Sequence, residues 1–234
     1  MYKVYLKNQL ECLLLKIRWL KRVLLNFTFV KKNKIINYQD CEIYYINLDH
    51  RVDRKKEIED EFKNIGIFNA NRISAIKNHN GALGCAMSHR LIFKLALLKK
   101  NLTWVCEDDV TFLTTRGELS NLINDFYNDS RLDVLSIAYN AFYKIKVSKQ
   151  FYITSNTQTM SCYILKPHVI NDFLSIAEES VLALEKGYLE KHFAIDQVWK
   201  KLQKKYIFAL PTSVKVIQRP SFSDIRNTNV DYSL

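Results

Sequence analysis

A chain of 234 residues with 48% hydrophobic and 12% aromatic side chains carries enough apolar material for one large packed domain, which excludes intrinsic disorder. Five Gly and three Pro exclude a collagenous or low-complexity architecture, and no period of about 20–50 residues marks a repeat fold. The net charge of +11 is concentrated at one end: residues 1–34 hold nine Lys or Arg against one acid, so the other 200 residues carry only +3, unlike a domain wrapped by nucleic acid.

The first predicted element is a basic amphipathic helix. From Leu10 onward, Leu13, Leu14, Ile17, Leu20, Leu24 and Phe27 gather on one face, with Lys16, Arg18, Lys21 and Arg22 between them. Its longest uncharged run, Val23 to Val30, is far short of the roughly 20 residues a bilayer requires, and no small-residue cleavage site marks a signal peptide. With Trp19 near the boundary of its faces, such a helix suits an anionic membrane surface; packing on the body or on a partner chain is the alternative. The Lys31–Lys34 cluster reads as a linker, dividing the chain into a leader (1–34) and a single domain (35–234).

In the body, strands are predicted at Cys41–Leu48, Arg72–Ile76, Leu102–Cys106 and Leu132–Ile137, each short and rich in β-branched or aromatic residues. Helices are predicted at Arg51–Ile65, stopped by Gly66, at Ser88–Lys100 and at Leu119–Tyr127. A strand at Thr157–Leu165, a helix opened by Pro167 and a helix at Phe193–Leu202 follow. This alternation implies an α/β fold with a mostly parallel sheet and helices on both faces, whose ligands bind beyond the carboxyl ends of the strands. Five widely spaced cysteines, at 12, 41, 85, 106 and 162, read as buried thiols in a reducing compartment.

Two clusters carry chemistry. Glu107-Asp108-Asp109 directly follows a hydrophobic strand at the ligand-binding edge, and its oxygen donors suit Mg²⁺ or Mn²⁺ bridged to a diphosphate. Acids so close also require a cation nearby. Gly84-Cys85-Ala86-Met87-Ser88-His89 is predicted to open a helix, where backbone N–H groups receive an anion. Cys85 and His89, four apart, share a helix face as a metal pair would, but no further ligand stands at a usual spacing. No nucleophile elbow, dinucleotide fingerprint or P-loop is present.

Ile46-Asn47-Leu48-Asp49 with Asp53-Arg54, then Arg72-Ile73-Ser74-Ala75, Gly84-Cys85 with Ser88-His89, and Glu107-Asp108-Asp109-Val110 together resemble glycosyltransferase family 25, the lipooligosaccharide and procollagen galactosyltransferase type. Thr159–Leu165, Asp196, Pro211 and Ser223-Asp224-Ile225 continue the resemblance to about Ile225. Where the family has Asp-Gly after the Ala75 region, this chain has Lys77-Asn78, and the following segment is short.

The resemblance implies a GT-A type, Rossmann-like nucleotide-sugar transferase fold and inverting transfer of a sugar, commonly galactose, from a UDP-sugar. It implies Asn47, Arg54, Ser88, His89 and Asp108 near the nucleotide, Mn²⁺ or Mg²⁺ at Glu107, Asp109 and Asp224, and Asp196 as the catalytic base. The acceptor would be a saccharide, lipooligosaccharide or glycoprotein, and the location cytoplasmic, peripheral on the inner face of a membrane. A phosphohydrolase using the acidic run would need more ligands than the sequence offers. An adaptor for membrane or nucleic acid would keep all its binding in residues 1–34.

Overall fold

The computed structural model describes residues 2–26, 35–36, 38–223 and 228–230. Phe27, the lysine cluster and Asp224 lie outside these residues. In chain order the elements are α1 (Tyr2–Asn26), β1 (Glu42–Asn47), α2 (Val52–Asn64), β2 (Asn71–Ser74), α3 (Gly81–Ala96), β3 (Thr103–Glu107), β4 (Val110–Phe112), α4 (Arg116–Asn128) and β5 (Val134–Ser136). The later part holds β6 (Asn140–Ala141), β7 (Ile145–Lys146), β8 (Phe151–Thr154), β9 (Thr157–Gln158), β10 (Cys162–Leu165), α5 (Ile170–Glu185), α6 (Glu190–Phe193), α7 (Ile195–Val198), β11 (Phe208–Pro211), β12 (Val216–Gln218), β13 (Ser221–Ser223) and β14 (Thr228–Val230).

Eight strands form one sheet in the order β2-β1-β3-β10-β5-β11-β8-β7. β10 and β8 run against their neighbours, and the other six share one direction. Successive side chains leave opposite faces of a strand, so Ile43, Tyr45, Trp104 and Cys106 enter one core with α2 and α4, while Tyr44, Ile46 and Val105 enter a second with α3 and α5. Both faces of the central strands are therefore buried, which is why they read as continuous apolar runs. This is the mostly parallel α/β sheet with helices on both faces that the sequence implies.

Several boundaries differ from the sequence reading. α3 begins at Gly81 rather than Ser88; the Asn80 side chain caps it by accepting from the Leu83 N–H at 2.9 Å. Gly84 then lies inside the helix, where an added Cβ would overlap the Ile76 carbonyl oxygen and stand 3.3 Å from the Asn78 nitrogen. A helix-breaking residue is present there because the loop after β2 crosses against it. The Thr157–Leu165 strand is divided into β9 and β10 at Thr159, which has φ of 77°. The Phe193–Leu202 helix is divided among the end of α6, α7 and a 3-10 segment, Trp199–Lys204.

α1 packs on the body through a face that the apolar pattern did not indicate. Leu15 is fully buried in the α2/α4 core, and Trp19 packs against that core with the Arg131 guanidinium 4.6 Å above its ring. Arg22 donates to the Arg131 carbonyl at 3.0 Å and pairs with Asp133 at 2.8 Å. Burial alone would raise Asp133, but His168, Arg22 and the Ile207 N–H together hold its carboxyl below the usual range. The predicted apolar stripe points the other way: Leu13, Leu20 and Leu24 are 53%, 58% and 73% exposed. Packing on the body and presenting an apolar face are thus compatible in one helix.

Candidate active site

A cavity of about 230 Å³ opens at the carboxyl ends of β1, β2 and β3, lined among others by His50, Lys77, Cys85, Glu107, Asp109 and Gln218. It lies where an open α/β sheet binds ligands. The loop after β2 walls one side, held by the Ser88 hydroxyl, which accepts from the Ile76 N–H at 2.9 Å and donates to the Gly84 carbonyl at 2.7 Å.

The three consecutive acids have separate environments. Asp108 is buried and fully engaged: its Oδ1 accepts from Arg54 Nη1 at 3.0 Å and its Oδ2 from Asn47 Nδ2 at 2.7 Å. Asn47 also donates to the Arg51 carbonyl at 3.0 Å and accepts from Arg72 Nε at 2.9 Å. Arg54, 8% exposed, is the cation that the acidic run requires, lying 3.5 Å from Asp109 Oδ2 as well. Asn47, Arg54 and Asp108, which sequence reading placed near the nucleotide, thus form one buried, hydrogen-bonded framework, and Arg54 and Asp108 also line the cavity. Of the other two residues assigned to the nucleotide, Ser88 lines the cavity and the His89 side chain is fully buried behind it. Both lie two turns inside α3 rather than at its start, so their backbone N–H groups belong to the helix ladder and only their side chains are available to a ligand.

Asp109 differs from Asp108. Its Oδ2 accepts from Gln218 Nε2 at 3.1 Å, but its buried Oδ1 has no hydrogen-bond partner among the described residues. Burial first, and then the Glu107 charge, push this carboxyl up to about 7. A divalent cation would satisfy the orphan oxygen and ionise the group, so Asp109 and the half-exposed Glu107 fit the ion that sequence reading assigned to them. Asp224, the third residue assigned to that ion, lies outside the described residues.

Glu107 also faces α3. Its Oε1 is 3.9 Å from Cys85 Sγ and 3.8 Å from His89 Nε2, while His89 Nδ1 bonds the Tyr163 hydroxyl at 2.8 Å. Cys85 is raised well above the ordinary thiol range by burial, then by the charges of Glu107, Asp196 and Asp109. Asp196 therefore lies within electrostatic reach of this corner. Burial raises its carboxyl, against the effect of the Gln197 amide at 3.2 Å and of Lys200. The N-cap of α7 is Ala194, so Asp196 does not cap the helix.

Gln218 was missed by sequence reading. It reaches Asp109 because β12 pairs with β4, placing Gln218 opposite Val110 across 108 positions of sequence, and no local pattern announces that pairing. Tyr163 was read only as part of a strand; its alternation onto the α3 face was the available signal for its contact with His89.

Residues 79–199, more than half of the chain, match the model of glycosyltransferase family 25 (LPS biosynthesis protein). No curated protein sequence matches. Among solved structures, a CTP:phosphocholine cytidylyltransferase from Streptococcus pneumoniae is 12% identical with a TM-score of 0.39, covering 75% of this chain and 71% of that one. A glycosyltransferase involved in glycosylation of the major capsid of PBCV-1 is 8% identical with a TM-score of 0.35, covering 74% and 94%. These likenesses are too distant to carry an argument. The family match does carry one, because it spans α3 and the Glu107–Asp109 run, which line the cavity, and Asp196, which lies within electrostatic reach of them. On that match the chain belongs to glycosyltransferase family 25.

Proposed function

We propose that this glycosyltransferase moves a sugar, galactose in our reading, from a UDP-sugar to a saccharide or glycolipid acceptor with inversion at the anomeric carbon. The observation that carries the reading is Asp109: a buried carboxylate with an orphan oxygen, beside Glu107, at the carboxyl end of β3 in a family 25 chain. Mn²⁺ or Mg²⁺ held by Asp109 and Glu107 would supply charge stabilisation to the departing diphosphate. Gln218 orients Asp109 through its amide, and Arg54 keeps the acid pair compatible in a buried site.

In this single displacement the acceptor hydroxyl oxygen bonds to the anomeric carbon as that carbon's bond to the phosphate oxygen breaks. The electron pair leaves with UDP, and the hydroxyl proton passes to a carboxylate. Asp196 is our choice for that base, since desolvation raises its affinity for the proton. The test is turnover of purified full-length protein against a panel of UDP-sugars with Mn²⁺. Asp109→Asn, which keeps the shape and the Gln218 contact, should lower turnover by about 10²–10³-fold, the scale of losing one element of transition-state charge stabilisation. Undiminished activity in EDTA, or in Asp109→Asn, would remove the metal from the mechanism.

We also propose that α1 docks the protein on an anionic membrane surface, on the cytoplasmic side. Support comes from the outward leucines together with exposed Lys16 and Lys21, in a segment of +8 charge. Among the described residues no helix is long and apolar enough to cross a membrane.

A further inference from the structure

We propose that Cys85, His89 and Glu107 form a binding site for a transition metal ion of the Zn²⁺ class, at the corner of the cavity where α3 meets the end of β3. Sequence reading set the Cys85/His89 pair aside for want of a third ligand, and β3 supplies it. One ligand atom from each residue lies within 4.8 Å of the others. Tetrahedral zinc at ordinary bond lengths separates its ligands by about 3.3 Å for an N/O pair and about 3.5 Å for an S/O pair, so the two separations from Glu107, 3.8 and 3.9 Å, would contract by a few tenths of an ångström, and Cys85 and His89 would close from within 4.8 Å.

His89 provides the independent observation. Its side chain is fully buried, and Nε2, directed at Glu107, has no hydrogen-bond partner among the described residues. Neither tautomer resolves this. If Nδ1 carries the proton and donates to Tyr163, a bare lone pair on Nε2 faces a carboxylate; if Nε2 carries it, the carboxylate at 3.8 Å is beyond hydrogen-bond reach. A metal ion completes the first arrangement, with Nδ1–H fixed by Tyr163 as metal-binding histidines are fixed by a partner on the other nitrogen. Thiolate, imidazole and one carboxylate select Zn²⁺ or Co²⁺ over Mg²⁺. With three protein ligands and Cys85 and Glu107 on the cavity wall, the fourth position faces the cavity and takes an oxygen of water or phosphate.

This inference stands independently of sugar transfer, although it shares Glu107 with the proposed diphosphate-bound cation. The test uses the full-length chain, loaded with Zn²⁺ or Co²⁺ and dialysed against excess Mg²⁺. One equivalent of zinc should remain, and Co²⁺ should give a thiolate-to-metal charge-transfer band. That band should vanish in Cys85→Ser and persist in Asp109→Asn, which disables only the other cation site. Tyr163→Phe should weaken zinc binding by about 10–100-fold. In wild-type protein, zinc should protect Cys85 from alkylation, mapped by mass spectrometry, so the test survives a variant that fails to fold. No retained zinc, a band that survives Cys85→Ser, or equal alkylation of Cys85 with and without zinc would overturn the site.

Discussion

Replacing Arg54 by Met removes the cation from a buried three-residue cluster while keeping most of the side-chain volume. Arg54 lies 3.0 Å from Asp108 and 3.5 Å from Asp109, and both carboxylates have side chains less than one-tenth exposed. At an effective dielectric constant of about 20, each pairing is worth about 5 kcal/mol of direct attraction; breaking a buried pair costs a net of about 3–5 kcal/mol once desolvation is counted. The loss depends on pH. Burial already raises Asp108 and takes Asp109 up to about 7 with Arg54 in place, and without it both rise further. A carboxyl whose folded value exceeds its unfolded value is most compatible with the fold below the unfolded value, and stability is lost as pH rises through the folded one. Urea unfolding in EDTA should therefore show Arg54→Met about 3–5 kcal/mol less stable than wild type at pH 8, with the gap narrowed at pH 5, below the value of about 7 that Asp109 has even with Arg54 in place. A gap of the same size at both pH values, or none at pH 8, would refute Arg54 as the counter-ion of the cluster.

Gly84→Ala should destabilise the protein by about 1–3 kcal/mol, read as a lowered thermal midpoint, because the new Cβ meets the backbone of the loop at Ile76 rather than a yielding side chain. Asp196→Asn should cut the chemical rate by about 10²–10⁴-fold with nearly unchanged UDP affinity and melting temperature, and retained turnover would exclude it as the base. A Leu13→Ser/Leu20→Ser variant should release the protein from anionic vesicles at unchanged melting temperature, since both side chains face outward, whereas wild-type binding should weaken as salt rises. Equal vesicle binding by the two proteins would show that α1 serves the fold alone.

Apart from β4, the run of elements from β1 to β5 was legible in the sequence, because strands buried on both faces and amphipathic helices leave apolar patterns within a few residues of chain. The carboxylate run was legible for a related reason: three acids after a hydrophobic strand have few places to go except a sheet edge. Ser88 and His89 illustrate where local reading ends. The start of α3 was drawn seven residues late, because only the Ile76 loop pressed against Gly84 explains a glycine inside the helix, and Ser88 and His89 were therefore placed at a helix start rather than two turns within it. The roles within the acidic run were also set by long-range packing: Arg54 from α2 and Asn47 from β1 engage Asp108, while Gln218 from β12 leaves one oxygen of Asp109 unpaired. α1 shows the same division. Its apolar stripe was visible in sequence, but only the position of Asp133 and Arg131 decides that Leu15, Trp19 and Arg22 face inward and that the stripe faces out. Periodicity reports that a helix has two faces; which of them finds a partner depends on surfaces contributed by residues more than a hundred positions away.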